Sequence, residues 1–193
     1  MRGRPNLQSD EQLILNAQDI FWKKGYTATS LSDLSKATGA GAGSLYNSFK
    51  GGKKELFKKS LHQRTEALGY FKSLLDQSDD PIKLIKDFFM SIALQTRHEH
   101  LRGCIVANTL VEMTYLDEEL ENDAIEILKQ TEELYTSIIH AEQKKGNLKT
   151  KVSASILGKY LITTWCGINS LRRIYPDNEI LKQQIKLQLD IIK

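Results

Sequence analysis

A chain of 193 residues suffices for one large domain or two small ones, and a 40% hydrophobic, 26% charged composition is ordinary for a globular protein. Two cysteines are too few for the disulfide framework of a small secreted domain. No run of eighteen apolar residues offers a membrane span, and the basic start MRGRPN lacks the apolar core of a secretory leader, so a reduced, cytoplasmic setting is expected. The net charge of +3 is uneven: residues 1–60 hold ten Lys or Arg against five Asp or Glu, and the remainder seventeen against nineteen. A basic first third beside a mildly acidic remainder fits a phosphate-binding module joined to a part with another task.

Residues 1–8 read as a Gly- and Pro-containing arm with Arg2 and Arg4, expected either to follow a DNA backbone or minor groove or to be only a frayed terminus. A first helix is expected over Asp10–Lys24. Ser9 and Gln12 have capping-box spacing, Ile14, Ala17, Ile20 and Phe21 make an apolar stripe, and Gly25 is a stop. Trp22 reads as packing. Two short helices follow. Ser30 and Asp33 signal the start of the first, Leu31, Leu34 and Ala37 give it one apolar face, and Gly39 ends it. The second runs from about Ala42 to Phe49, with Leu45 and Phe49 inward and Ser44, Tyr46, Asn47 and Lys50 outward.

Two short helices joined by a Gly-bearing turn match the helix-turn-helix plan, whose second helix enters the DNA major groove. Asn47 is suited to a bidentate pair with an adenine edge, and the small residues Gly43, Ser44 and Ser48 allow close backbone approach. Tyr46, Lys50, Lys53 and Lys54, with Thr29 and Ser30 at the start of the first short helix, are candidates for phosphate contacts that fix register. A plain helical hairpin with a polar outer face shares this pattern. The GGK run is no Walker loop, because Asn47 and Lys54 stand where Gly and Ser/Thr are required, and Tyr46 breaks a dinucleotide-type glycine pattern.

A fourth helix, about 53–77, connects this segment to the rest. Asp80 and Pro81 open a fifth, with Ile82, Ile85, Phe88, Phe89 and Ile92 apolar, ending near Arg97. A short helix is expected over 103–117, a long one over Glu118–Lys145 with Asp117 as cap, another over Val152–Tyr175 stopped by Pro176, and a last one over 178–193. The fold expected is all-α, with about nine helices. His98, His100 and Cys104 lack metal-ligand spacing, no catalytic signature occurs, and neither enzyme activity nor a cofactor is expected. Phe88, Phe89, Cys104, Asn108, Tyr115, Tyr160, Trp165 and Asn169 are candidates to line a mostly apolar pocket with a few polar anchors, the other reading of such helical spacing being simple core.

From Ile14 to Leu56, through ILNAQDIFWKKGYTATSL, LSKATGAGAGSLYNSF and KKELF, the chain resembles the N-terminal domain of TetR/AcrR-type bacterial transcriptional regulators. It departs from that pattern at Gly41-Ala42, where the family usually carries a Ser and a Lys, and at Asn47-Ser48, where an aromatic or His pair is common. Gly51-Gly52 is one residue longer than the commonest spacing. The resemblance implies a DNA-binding domain over 1–52 and a ligand-binding and dimerisation domain over 53–193. It further implies a homodimeric repressor released from a palindromic operator by a small apolar effector. Its dimer contact would be a four-helix bundle of the last two helices, here through Leu157, Leu161, Ile168, Leu171, Ile185 and Leu189. A helical protein-interaction module without specific DNA binding is the other reading.

Overall fold

Helix starts in this chain are written largely in side-chain caps. In the computed structural model, which describes residues 9–174 and 177–193, Ser9 accepts from the Gln12 amide and opens α1 (Asp10–Lys24). Ser30 and Asp33 form a reciprocal capping box on α2 (Leu31–Thr38), and Gly39 closes that helix at φ 66°. Then come α3 (Ala42–Ser48), α4 (Gly52–Asp76) and α5 (Pro81–Met90), the last capped by Asp80 with Pro81 in its first turn. A 3-10 turn, Ser91–Leu94, follows. After it stand α6 (Arg97–Arg102), α7 (Ile105–Met113), α8 (Glu118–Lys144), α9 (Ala154–Leu171) and α10 (Asn178–Leu189). No strand occurs among the described residues.

The all-α expectation holds, and the described residues contain one α-helix more than the nine expected. The fifth helix does not continue to Arg97. It breaks at the 3-10 turn, and α6 starts on a second capping box, Thr96 with Glu99. The arm with Arg2 and Arg4, and the Tyr175-Pro176 stop, lie outside the described residues.

The chain divides into two compact units. The first contains the residues through Glu66 together with Ile105–Ile125. Its α1 packs on α2, and its core includes Leu13, Phe21, Leu34, Leu45, Phe49, Phe57 and Leu61, each at most 4% exposed. Phe21 meets Phe57 edge-on at 4.8 Å, and Tyr26 closes the aromatic group at 5.0 Å from Phe57. The inward face of α1 is carried by Leu13, Ala17 and Phe21 with buried Gln18, whose amide donates to the Ser60 carbonyl at 2.6 Å; Ile14 and Ile20 are half-buried.

The second unit, Ala67–Cys104 with Glu126–Lys193, has its own core of Ile85, Phe89, Ile92, Ile139, Leu157, Leu161 and Ile185. Within it α10 packs on α5, and α9 meets α8 where Gly158 lies against Thr136 and Glu132. Buried Arg172 donates to the Glu99 and Gly103 carbonyls at 3.1 and 3.2 Å and to the Gln95 side chain, placing a cation at the C-terminal end of α6.

Candidate nucleic-acid interface

Helix α3 is seven residues long, starts after Gly41 without a side-chain cap, and holds its place by burying Leu45 and Phe49 at 4% and 1% exposure. That burial fixes which residues turn outward. Tyr46 is 47% exposed, Asn47 and Lys50 are exposed, and Ser44 and Ser48 are half-buried, all on or next to one short helix. Gly43, exposed beside them, has open space where a Cβ would stand. Of the outward set read from sequence, Tyr46, Asn47 and Lys50 are exposed and Ser44 and Ser48 are partly covered.

Behind α3, four of the residues expected to contact phosphates have partners within the protein. Thr29 is 1% exposed, and its hydroxyl donates to the Gly25 carbonyl at 2.6 Å. The Lys53 ammonium donates to the Tyr26 and Thr29 carbonyls, both at 3.0 Å, and sits 4.3 Å above the Tyr26 ring. Lys54 bonds Asp117 and Glu119, each at 2.8 Å, and Lys58 pairs with Glu119 and, at 3.5 Å, Asp123. The bonds to Asp117 and then Glu119 raise the Lys54 pKa above the usual lysine range, and the bond to Lys54 holds the Asp117 carboxyl below its ordinary value. Side chains held this way tie α4 to the start of α8 and to the α1–α2 loop. Ser30 likewise spends its hydroxyl on Asp33.

The loop from Gly25 to Ser30 is gripped from a second side. Glu112 of α7 accepts the Tyr26 amide at 3.0 Å and the Thr27 amide at 2.7 Å. At α2, Asp33 lies well below the ordinary carboxylate range, first because Lys24 bonds it at 2.7 Å, then through the Ser30 amide and hydroxyl. Sequence reading missed Glu112, because its partners lie some 86 residues away and a lone Glu on a short helix carries no pattern.

In the second unit, part of the expected effector set comes together. Phe88 stacks on Trp165 at 4.8 Å, Phe89 meets Trp165 edge-on at 5.5 Å, and Phe71 lies 4.6 Å from Phe88. Tyr135, unanticipated, joins through Phe89 at 6.1 Å. Burial raises its hydroxyl pKa, and burial together with Cys104 pushes the Cys166 thiol up to about 12. Tyr160 turns to the Gln188 carbonyl at 3.0 Å. Asn169 is buried and bonds the Trp165 carbonyl at 2.9 Å, while Cys104 is half-buried. Asn108 and Tyr115 belong to the first unit, and Tyr115, fully exposed with φ 67°, lines no interior.

Of the six expected dimer residues, Leu157, Leu161, Ile168, Ile185 and Leu189 are at most 5% exposed and fill the protomer's own core. Leu171, at 51%, stays outside, and the exposed apolar residues near it in sequence or on the last two helices are Ile156, Ile174, Ile180 and Leu187.

Comparison with known proteins matches residues 13–59 to the family described as bacterial regulatory proteins, tetR family, and residues 83–187 to the family described as tetracyclin repressor-like, C-terminal domain. The chain is 25% identical over 176 residues to the HTH-type transcriptional repressor DhaR of Mycobacterium sp. strain GP1, covering 90% of this chain and 86% of that one. It is 24% identical over 189 residues to the HTH-type transcriptional repressor KstR2 of Mycolicibacterium smegmatis, covering 96% and 88%. In fold it is similar to a TetR-family transcriptional regulator from Agrobacterium tumefaciens, with a TM-score of 0.84 at 18% identity over 95% of this chain and 96% of that one. It is also similar to a cysteine-substituted form of the TetR-family regulator CifR complexed with a 26-bp double-strand operator, with a TM-score of 0.80 at 21% identity over 99% and 100%.

Proposed function

This chain belongs to the tetR family of bacterial regulatory proteins, and from that premise we propose that it is a homodimeric repressor that reads a palindromic operator through α3 and leaves it when a small, largely apolar effector binds. The observation that carries the DNA-reading half is the geometry of α3: with Leu45 and Phe49 buried, Tyr46, Asn47 and Lys50 are exposed and Ser44 and Ser48 are half-buried. Asn47 is the base reader, and Tyr46 and Lys50 contact phosphates. One recognition helix spans too few base pairs for specificity, so two copies are needed, about 34–36 Å apart on successive turns of DNA. The second copy covers the outer faces of α9 and α10, where Ile156, Leu171, Ile180 and Leu187 are exposed.

The effector reading rests on the aromatic group of Phe88, Phe89, Trp165 and Tyr135, with Cys104 and Cys166, in the second unit. An apolar molecule shifts the protein toward its released form only by its affinity difference between the two forms. The names of DhaR and KstR2 support repression as the sense of control. The family membership disfavours a protein-interaction module without specific DNA binding.

Two substitutions separate base reading from phosphate holding. Asn47→Ala is expected to lose about 1–3 kcal/mol of preference for the cognate sequence and to leave binding to unrelated duplexes intact. Lys50→Ala is expected to weaken binding to all duplexes and lower the slope of log affinity against log salt by about one unit per protomer. Titrations of cognate and scrambled duplexes across a salt series measure both. Unchanged sequence preference in Asn47→Ala would remove Asn47 from the reading surface.

A further inference from the structure

We propose that Glu112 is a positioning residue for operator reading: the contact through which α7 sets the α1–α2 loop, and with it the attitude of α2 and α3. The proposal rests on the DNA-reading function above. Glu112 accepts two consecutive backbone amides, Tyr26 through Oε2 at 3.0 Å and Thr27 through Oε1 at 2.7 Å. A carboxylate with both oxygens on successive amides fixes orientation as well as distance, and such charge-assisted bonds are stronger than neutral ones.

The loop is shaped to receive it. Gly25 adopts φ 79°, and a Cβ there would stand 2.7 Å from Glu112 Oε2, so both the conformation and the space call for glycine. On the loop's other side, Lys53 of α4 takes the Tyr26 and Thr29 carbonyls. The segment leading into the reading helices is thus held by its N–H groups from α7 and by its C=O groups from α4.

The path of the chain gives this arrangement its consequence. Within the first unit, α7 is neither before nor beside the DNA-reading helices in sequence; it arrives with the returning segment Ile105–Ile125. The chain passes between the two units inside α4, between Cys104 and Ile105, and inside α8; Gly103, at φ 67° just before the second of these, ends α6 ahead of α7. A displacement of α7 is delivered to the loop as a displacement of two bonded amides. The α2–α3 pair does not need Glu112 to fold, because it has its own capping box and its own buried Leu34, Leu45 and Phe49. Loss of the carboxylate therefore leaves the reading helices formed and less firmly aimed.

The test compares full-length wild type, Glu112→Ala and Glu112→Gln on the operator and on the same operator with one base pair inserted at its centre. Wild type is expected to discriminate between the two spacings. Glu112→Ala is expected to reduce that discrimination about tenfold, with unchanged helicity and unchanged low-salt affinity for unrelated DNA. Glu112→Gln keeps one carbonyl acceptor and is expected to recover part of the loss. If Glu112→Ala discriminates as wild type does, or loses operator, unrelated-DNA affinity and helicity together, the positioning role is overturned. If wild type itself shows no operator preference, the DNA-reading function falls first and the positioning role with it.

Discussion

Asp33 shows how a single half-buried carboxylate can hold the start of α2. Its pKa lies below the ordinary 3.8 because Lys24 and the Ser30 amide and hydroxyl all favour the ionised form. A depressed carboxylate stabilises the fold fully above the ordinary value, and that contribution disappears as pH falls through the lower, folded value. The α2 cap is therefore expected to persist from neutral pH down to about pH 4 and to fail only in stronger acid. Urea unfolding of wild type and Asp33→Asn over a pH series checks this: the wild-type advantage should be flat above pH 5 and shrink below the ordinary carboxylate pKa. An advantage that vanishes by pH 6 would mean that Asp33 carries no depressed pKa. The Ser30–Asp33 box was legible in sequence because its partners are three residues apart. The roles of Lys53 and Lys54 were not. A lysine-rich helix start looks phosphate-seeking until Asp117 and Glu119, more than sixty positions on, are brought beside it.

At the scale of elements, caps and glycine stops placed most helices from sequence, and the misses have physical causes. The polar stretch after α5 carries no apolar stripe, and only the Thr96–Glu99 capping box marks the start of α6. Helices α9 and α10 are apolar on more than one face, so periodicity cannot say which face turns inward; packing alone puts Leu157, Leu161 and Ile185 inside and leaves Ile156 and Leu187 out. Gly158 was likewise silent in sequence. In the fold it marks the close approach of α9 to α8, where an added Cβ would overlap the Thr136 hydroxyl and stand 3.0 Å from the Glu132 carbonyl. Gly158→Ala gains helix propensity of up to about 1 kcal/mol. The overlap outweighs it, and a net loss of about 1–3 kcal/mol is expected in denaturant unfolding. Thr136→Ala in the same chain should restore part of that loss; a stabilised Gly158→Ala would show that the two helices are less closely packed than described.

At the scale of the whole molecule, a basic first third and a mildly acidic remainder belong to a member of a DNA-binding regulatory family, and no helix among the described residues is long and apolar enough to cross a membrane. The division of labour is less simple than a cut at residue 52, since the unit containing α1–α3 also recruits Ile105–Ile125 from far along the chain. Sequence order could not reveal that return, because nothing local in α7 announces its partners. Selection of bound duplexes from a random pool at physiological salt tests sequence-specific reading by a two-fold dimer most directly. The expected result is a palindromic consensus with half-sites about one helical turn apart. Retention without any consensus, from protein unfolded and refolded to strip carried-over ligands, would contradict it.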